Sequence, residues 1–374
     1  MTSWSLRRAK PADINALVAL EEACFDMDRL NKRQFKWMIE KANADLIVAE
    51  IGQQIVAYAL ILFHRGTSLA RLYSIAISSE VRGKGLSDAL MDEVERVGQE
   101  HNCIYMRLEV HPKNLGAIKL YERHGYYRFG ELVDYYEDHS DALRFEKRIH
   151  TLPENVPHDV PFYAQSMAFT CGPASLMMAM QAHQGKSQTN DKSQRQQEVQ
   201  LWREATTIYM TSGHGGCSPQ GLALAAWNRG FGVELIVSHK TPLFLDGVRK
   251  ADKKEVMQLV HDDFVSQIAK TTIKVKYRGL DIKALLKCIE TGGIPLILIS
   301  SYRFNSSKAP HWIVLAAADN HFIYLHDPDV DTEEHRTAAD NMYIPVDYAQ
   351  FERMTHFGQA RSQAAVIVYP QRSK

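Results

Sequence analysis

The chain has 374 residues, 45% of them hydrophobic and 24% charged, which is the balance of a globular protein and excludes a disordered or fibrous one. Its 44 basic and 44 acidic residues cancel, so composition carries no electrostatic footprint for nucleic acid or a membrane surface. No apolar run is long enough to span a bilayer, Met1–Lys10 lacks the apolar core of a signal peptide, and five scattered cysteines show no C-x-x-C spacing. The expectation is a cytoplasmic protein with free thiols, no metal site, no nucleic-acid or membrane partner, and length for two domains.

Taken in order, the chain opens with a short strand at Trp4–Arg8. Pro11-Ala12-Asp13 then starts a helix whose apolar face holds Ile14, Leu17, Val18 and Leu20. A second helix is predicted over Lys32–Lys41. Strands follow at Leu46–Glu50 and Ile55–Phe63, with Gly52-Gln53 as the turn between them. The most informative stretch is Arg71–Val97. Leu72, Ile75 and Ile77 mark a strand; Leu86, Leu90, Val94 and Val97 recur at helical spacing. Between them lies Arg82-Gly83-Lys84-Gly85. Glycines there admit a tight turn and close approach of a ligand, and the free N–H groups of the following helix, with two cations beside them, suit a phosphate. A plain surface turn explains the same residues. A strand at Tyr105–Val110, a helix at Leu115–His124 with Gly125 at its C-terminal end, and strands near Tyr126–Phe129 and Leu143–Lys147 complete this half.

Arg82-Gly83-Lys84-Gly85-Leu86-Ser87 resembles the acetyl-CoA motif R/Q-x-x-G-x-G/A of the GNAT acetyltransferases, and the element order is similar to that fold. Ser87 departs from the usual Gly or Ala but is still small. Leu108-Glu109-Val110, Asn114, Leu120-Tyr121-Glu122 and His124-Gly125-Tyr126 resemble the ribosomal-protein alanine N-acetyltransferase branch. The resemblance spans Ser3–Ile149. It implies acetyl-CoA as a substrate, held at Ile77, Arg82, Gly83, Lys84, Gly85, Ser87 and Asn114. It further implies Tyr121 as the acid that protonates the departing sulfur. Glu109, near a strand end, is placed to take the proton of an ammonium. A solvated Glu109 and a core-edge Tyr121 are the alternatives.

Thr151–Pro161 carries three prolines among polar residues and reads as a linker. Gln184–Gln200 is so polar that a mobile surface insertion is expected. Between these, Cys171 precedes Gly172-Pro173 and the helix-forming run from Ala174, so it sits at a helix N-terminus, where the dipole favours a thiolate nucleophile. Gly292-Gly293 introduces a strand at Leu296–Ser300. A polar loop then reaches His311, which opens the strand Trp312–Ala316; Phe322–Leu325 returns and His326-Asp327-Pro328 ends it. This is a Cys–His–Asp order. In that order His311 Nδ1 would be the general base, Asp327 would orient its ring and Gln165 would donate to the oxyanion; a buried structural Cys171, a strand-edge His311 and a plain turn at Asp327-Pro328 are the alternatives. Cys217, at the start of a helix over Gln220–Arg229, is a competing thiol read as structural. His214 and His326 are read as polar surface groups.

The order Gln165…Cys171-Gly172-Pro173…His311-Trp312…Asp327-Pro328 resembles papain-like enzymes, closest to the bacteriocin double-glycine leader peptidases of bacterial peptide exporters. The resemblance covers Pro161–Pro328 and leaves an unfamiliar tail after Asp331. Thr170 stands where that group has an acidic residue. The resulting fold class is α/β and α+β: a GNAT fold, a mixed central sheet flanked by helices, over residues 1–150; a linker at 151–160; and a papain-like cysteine peptidase fold over 161–374 with a polar insertion near 184–200. The expected function is a bifunctional peptide-modifying enzyme. It would acetylate a peptide or protein amine and cleave or transpeptidate at Cys171. Alternatively, the second half is a non-catalytic peptide-binding module.

Overall fold

The computed structural model describes residues 4–150, 160–184, 191–209, 214–245, 248–300, 310–330, 337–358 and 360–371. The chain divides into two compact units, Met1–Pro153 and Glu154–Lys374. Most of the expected linker, 151–159, lies outside the described residues.

The first unit runs β1 (Ser5–Arg8), α1 (Ile14–Cys24), α2 (Lys32–Glu40), β2 (Ala44–Ile51), β3 (Gln54–Phe63), β4 (Leu69–Ile77), α3 (Leu86–Glu100), β5 (Tyr105–Val110), α4 (Leu115–Arg123), β6 (Tyr127–Leu132) and β7 (Ala142–Arg148). Its sheet has the order β1-β2-β3-β4-β5-β7-β6. Helical periodicity decides which faces are buried. Leu86, Leu90, Met91, Val94 and Val97 of α3 and Leu120 of α4 pack on one side of the sheet, while Leu17 of α1 and Phe35 and Met38 of α2 pack on the other. Each such side chain contributes about 1.5–3 kcal/mol on full burial. Neither layer needs anything beyond the apolar stripes visible in the sequence.

The sheet is interrupted where function is expected. β4 and β5 are the parallel pair, yet they stay in register only from Leu69↔Tyr105 to Arg71↔Arg107. Opposite β3, a bulge leaves Tyr73 as an extra residue on β4, since Leu60 faces Ser74 and Ile61 faces Leu72. A bulge bends and twists the strand that carries it. Beyond Arg71 the two strands therefore run on without pairing, β4 toward Ile77 and β5 toward Val110.

The second unit runs α5 (Cys171–Gln184), α6 (Asp191–Ala205), α7 (Pro219–Asn228), β8 (Phe231–Val237), α8 (Ala251–Ile268), β9 (Lys274–Tyr277), α9 (Ile282–Glu290), β10 (Ile294–Ser300), β11 (Pro310–Ala318), β12 (Phe322–His326), β13 (Ile344–Asp347), α10 (Tyr348–Met354) and β14 (Ala364–Gln371). The sheet order is β13-β12-β11-β10-β14-β8-β9, with β8 and β9 parallel and the other pairs antiparallel. α5 is apolar all round and is buried from Gly172 to Met180, as a helix with no polar face must be.

Two expectations fail here. The polar run at 184–200 is not a loose insertion: from Asp191 it is helix α6, whose Leu201 and Ala205 enter the core, while 185–190 lie outside the described residues. Its solvent face is so polar that it conceals the buried stripe. His326 is not at the surface. It is fully buried, with Nε2 2.9 Å from the Val160 carbonyl and Nδ1 accepting from the Tyr343 N–H. The tail after Asp331, unlike anything in the resemblance, belongs to the same domain: β14 lies between β10 and β8 in mid-sheet.

Candidate functional sites

In the first unit, the turn after β4 is built on two left-handed glycines. Gly83 has φ +75° and Gly85 φ +84°, a region that costs a side-chain-bearing residue about 1–2 kcal/mol. Gly85 caps α3 with its carbonyl, which accepts from the Ala89 N–H. The N–H groups of Leu86, Ser87 and Asp88 precede that first helical bond and have no intrahelical acceptor. Nothing lies within 4 Å of a Cβ built on either glycine, so the turn faces open space on that side. Arg82 Nε is 3.1 Å from the Ile77 carbonyl and Lys84 Nζ 3.2 Å from the Glu80 carbonyl, which brings both cations to the turn. The one acid of the first helical turn, Asp88, is drawn to Arg123 at 2.7 Å and His124 at 3.0 Å. An anion arriving at the N–H groups therefore meets a carboxylate already paired. These residues fit the pyrophosphate of acetyl-CoA. Asn114 caps α4, its Oδ1 accepting from the Ala117 N–H at 3.1 Å.

Glu109 lies on β5 where it parts from β4. Its Oε2 is 2.7 Å from Arg71 Nε, and both side chains are only 3% exposed. Its Oε1 is buried and accepts no hydrogen bond among the described residues. One oxygen is thus fixed by Arg71, while the other has only the Arg144 guanidinium Nε at 3.9 Å, beyond hydrogen-bond distance. Arg71 is the residue the sequence reading missed; a charged side chain in an otherwise apolar strand was the available signal. Tyr121 on α4 is buried, and burial pushes its phenol well above the ordinary value, so it remains protonated and keeps a proton to give.

In the second unit, Thr170 accepts from the Ala174 N–H at 2.9 Å, which makes Thr170 the cap and Cys171 the first residue of α5. Gly172 is required by packing: a Cβ there would come within 3.0 Å of Cys217 Cβ and 3.2 Å of Trp312 Cδ1. The helix start is therefore seated tightly on β11, next to His311. His311 Nε2 is 2.6 Å from Asp327 Oδ1. That leaves Nδ1 as the other ring nitrogen, and Cys171 is near enough to act on the charge of the ring. Burial disfavours the imidazolium, but the charge of Asp327, the hydrogen bond to it and the nearby Cys171 outweigh it and hold His311 well above its usual range. Gln165 is tied to the same loop: its N–H donates to the Pro328 carbonyl at 2.8 Å and its Nε2 to Asp329 Oδ1 at 2.9 Å. One amide N–H of Nε2 is engaged in that contact, which leaves the second for an oxyanion.

Two supporting residues were illegible in the sequence. Glu198, on α6, is fully buried and accepts from Tyr163 Oη at 2.9 Å, the Ser166 N–H at 2.8 Å, Ser166 Oγ at 2.5 Å and Thr170 Oγ1. Every donor belongs to the segment between Gln165 and Cys171 or its approach, so a single carboxylate holds that segment in place. Asn341 does the same for the acid. Its Nδ2 donates to the carbonyls of Asp327 at 3.0 Å and Asp329 at 2.7 Å, and its own carbonyl accepts from the Asp327 N–H. Cys217 is buried; burial first, and then the neighbouring Cys171, pushes its thiol up, away from nucleophilic chemistry. All five cysteines are free, and no group of metal-ligating side chains occurs among the described residues.

These two arrangements, an anion-binding turn beside a parted strand pair and a Cys–His–Asp cluster under a helix start, define an acyltransferase unit joined to a cysteine-peptidase-like unit. Residues 160–369 match the Peptidase_C39 like family, and the chain belongs to that family. Residues 14–126 match the Acetyltransferase (GNAT) family, and the first half is a GNAT acetyltransferase domain. An uncharacterized N-acetyltransferase of Methanocaldococcus jannaschii is 36% identical over 102 residues, which is 27% of this chain and 64% of that protein. The N-alpha-acetyltransferase MAK3 of Arabidopsis thaliana is 30% identical over 83 residues, 22% of this chain and 44% of that protein. The chain thus spans less than two thirds of the length of either curated relative. Among solved structures, the Escherichia coli ribosomal-protein-S18-alanine N-acetyltransferase is 20% identical, covering 41% of this chain and 99% of that one with a TM-score of 0.37.

Proposed function

We propose that the protein is a bifunctional peptide-modifying enzyme of the cytoplasm. Its first half transfers an acetyl group from acetyl-CoA to a peptide or protein amine, and its second half cleaves or transpeptidates a peptide at Cys171. In the first reaction, Glu109 Oε1 takes a proton from the substrate ammonium. The freed amine nitrogen forms a bond to the acetyl carbon as the carbon–sulfur bond breaks, Tyr121 gives its proton to the leaving thiolate, and the second proton of the acylated nitrogen returns Tyr121 to its phenol. The turn at Arg82–Ser87 holds the pyrophosphate, with Asn114 and the end of β4 at Ile77 flanking the acyl arm.

In the second reaction, Cys171 Sγ attacks the peptide carbonyl and the Gln165 amide donates to the oxyanion. The His311 imidazolium protonates the departing amine, and water or a second amine then releases the thioester. The observation that carries this reading is the buried His311 ring, held by Asp327 at 2.6 Å beside the helix start that bears Cys171.

The test combines two measurements on the full chain. Peptides incubated with acetyl-CoA are followed by mass spectrometry for acetylated and cleaved products. Labelling by iodoacetamide then ranks the five thiols. The expectation is acetylated product and preferential labelling of Cys171, diminished in His311→Ala. Reaction at Cys217 while Cys171 stays unlabelled would reduce the second half to a peptide-binding module.

A further inference from the structure

We propose that the outward face of α6 is a binding site for an acidic segment of the peptide processed at Cys171. The proposal rests on the peptidase reading for the identity of that peptide, not for the groove itself. The inner face of α6 supplies Glu198, Leu201 and Ala205 to the interior. The outer face presents Lys192, Arg195, Val199 and Arg203, which recur at three- and four-residue steps and so share one side of the helix. With Met167 they line a groove of about 460 Å³, within the range of ligand-binding clefts.

Its charge is the informative feature. Lys192, Arg195 and Arg203 form no ion pair with any carboxylate among the described residues. Asp191 is the sole acid lining the groove, and the residues just before it, 185–190, contain none. Three cations against one anion leave a local excess of two in a chain whose formal charge is zero. Its floor, Met167 and Val199, is apolar, and Val199 is 37% exposed. A peptide with carboxylates around an apolar side chain matches both features, whereas a phosphate backbone would use only the cations.

The groove is also in the right place. The Met167 carbonyl accepts from the Thr170 N–H at 3.2 Å and from Thr170 Oγ1 at 2.8 Å, one tight turn before Cys171. A substrate held at the nucleophile therefore has its flanking residues within reach of α6.

The test uses the full chain carrying Cys171→Ala, which binds without turnover. Fluorescence anisotropy compares three labelled peptides that differ only at polar positions around a leucine: glutamate, glutamine or lysine. At low salt the glutamate peptide should bind about tenfold more tightly than the glutamine peptide, the sum expected of three exposed ion pairs. That advantage should vanish near 1 M salt. The triple variant K192E/R195E/R203E, altered only at exposed positions, should prefer the lysine peptide; the milder R195Q should keep the preference but weaken it. Equal binding of the three peptides, or a glutamate preference that survives charge reversal, overturns the proposal. So does a short RNA that competes as well as the glutamate peptide, since that is the behaviour of a general polyanion site. Glutamate-selective binding by this variant, together with a native chain whose Cys171 iodoacetamide does not label, would leave the groove standing and remove the peptidase reading instead.

Discussion

The two halves of this protein prepare their chemistry in opposite ways. In the acetyltransferase domain the candidate ligand site is mostly backbone: left-handed glycines, the free N–H groups of α3, and a strand pair that parts after Arg71. Side chains enter late, and Glu109 is hydrogen-bonded by Arg71 with Arg144 at 3.9 Å behind it. In the peptidase-like domain the site is mostly side chains. Cys171, His311 and Asp327 come from three separate places in the chain, and two of them rest on a further buried polar group: Glu198 behind the segment before Cys171, Asn341 behind Asp327. The difference is physical. A phosphate charge is met adequately by dipoles that the chain carries anyway. A thiol nucleophile needs a base at hydrogen-bond distance in a fixed orientation, and only packed side chains provide that.

If the second domain depends on such mutual orientation, it should be the more fragile under single substitutions. His311→Ala should lower peptide cleavage by about 10⁴-fold, the scale seen when one member of an interdependent triad is lost. Acetyl transfer by the same variant should be unchanged. Progress curves for both reactions on one preparation measure this. A His311→Ala protein that cleaves at more than a tenth of the native rate would leave no base role for His311.

The acetyltransferase domain should show smaller losses. Tyr121→Phe and Glu109→Gln should each reduce kcat by about 10²-fold, the usual contribution of a single acid or base. Affinity for acetyl-CoA, measured by calorimetry, should barely move, because neither side chain belongs to the Arg82–Ser87 turn. Full activity in Tyr121→Phe would transfer the acid role to another group. A large loss of acetyl-CoA affinity in Glu109→Gln would mean that the Arg71–Glu109 pair supports the cofactor face instead of the amine.

The same contrast explains which parts could be read from the amino-acid sequence. The anion turn lies within a few consecutive residues, so a local pattern contains it whole. Gln165, Cys171, His311 and Asp327 were legible as an order of residue types, each beside a marker such as Gly172-Pro173 or Pro328. Their supports were not. Glu198 sits in a run of glutamines and charges that reads as a solvated surface, and nothing local distinguishes the one carboxylate that turns inward. Asn341 lies in the tail, where no pattern signals that its amide closes on Asp327. His326 differs from a surface histidine only through its distant neighbours Val160 and Tyr343, which pairwise burial decides and periodicity does not.

The smallest expected effect concerns pH, and it tests the electrostatics of the second domain directly. His311 titrates well above its ordinary value: burial works against the charged ring, and Asp327 with Cys171 more than compensates. A group whose folded value is raised stabilises the fold fully below its unfolded value, about 6.5 for histidine, and loses that contribution as pH rises through the folded value. The melting temperature of the Cys171→Ala protein, which removes titration of the thiol, should therefore fall as pH rises above neutrality. The fall should be steeper than in a Cys171→Ala/His311→Asn protein. The difference between the two should narrow steadily toward alkaline pH, since asparagine has no proton to lose. Calorimetric scans across that range decide it. Parallel curves, or a difference that grows with pH, would mean that Asp327 is not paired with an imidazolium, and the proton needed by the departing amine would have to come from elsewhere.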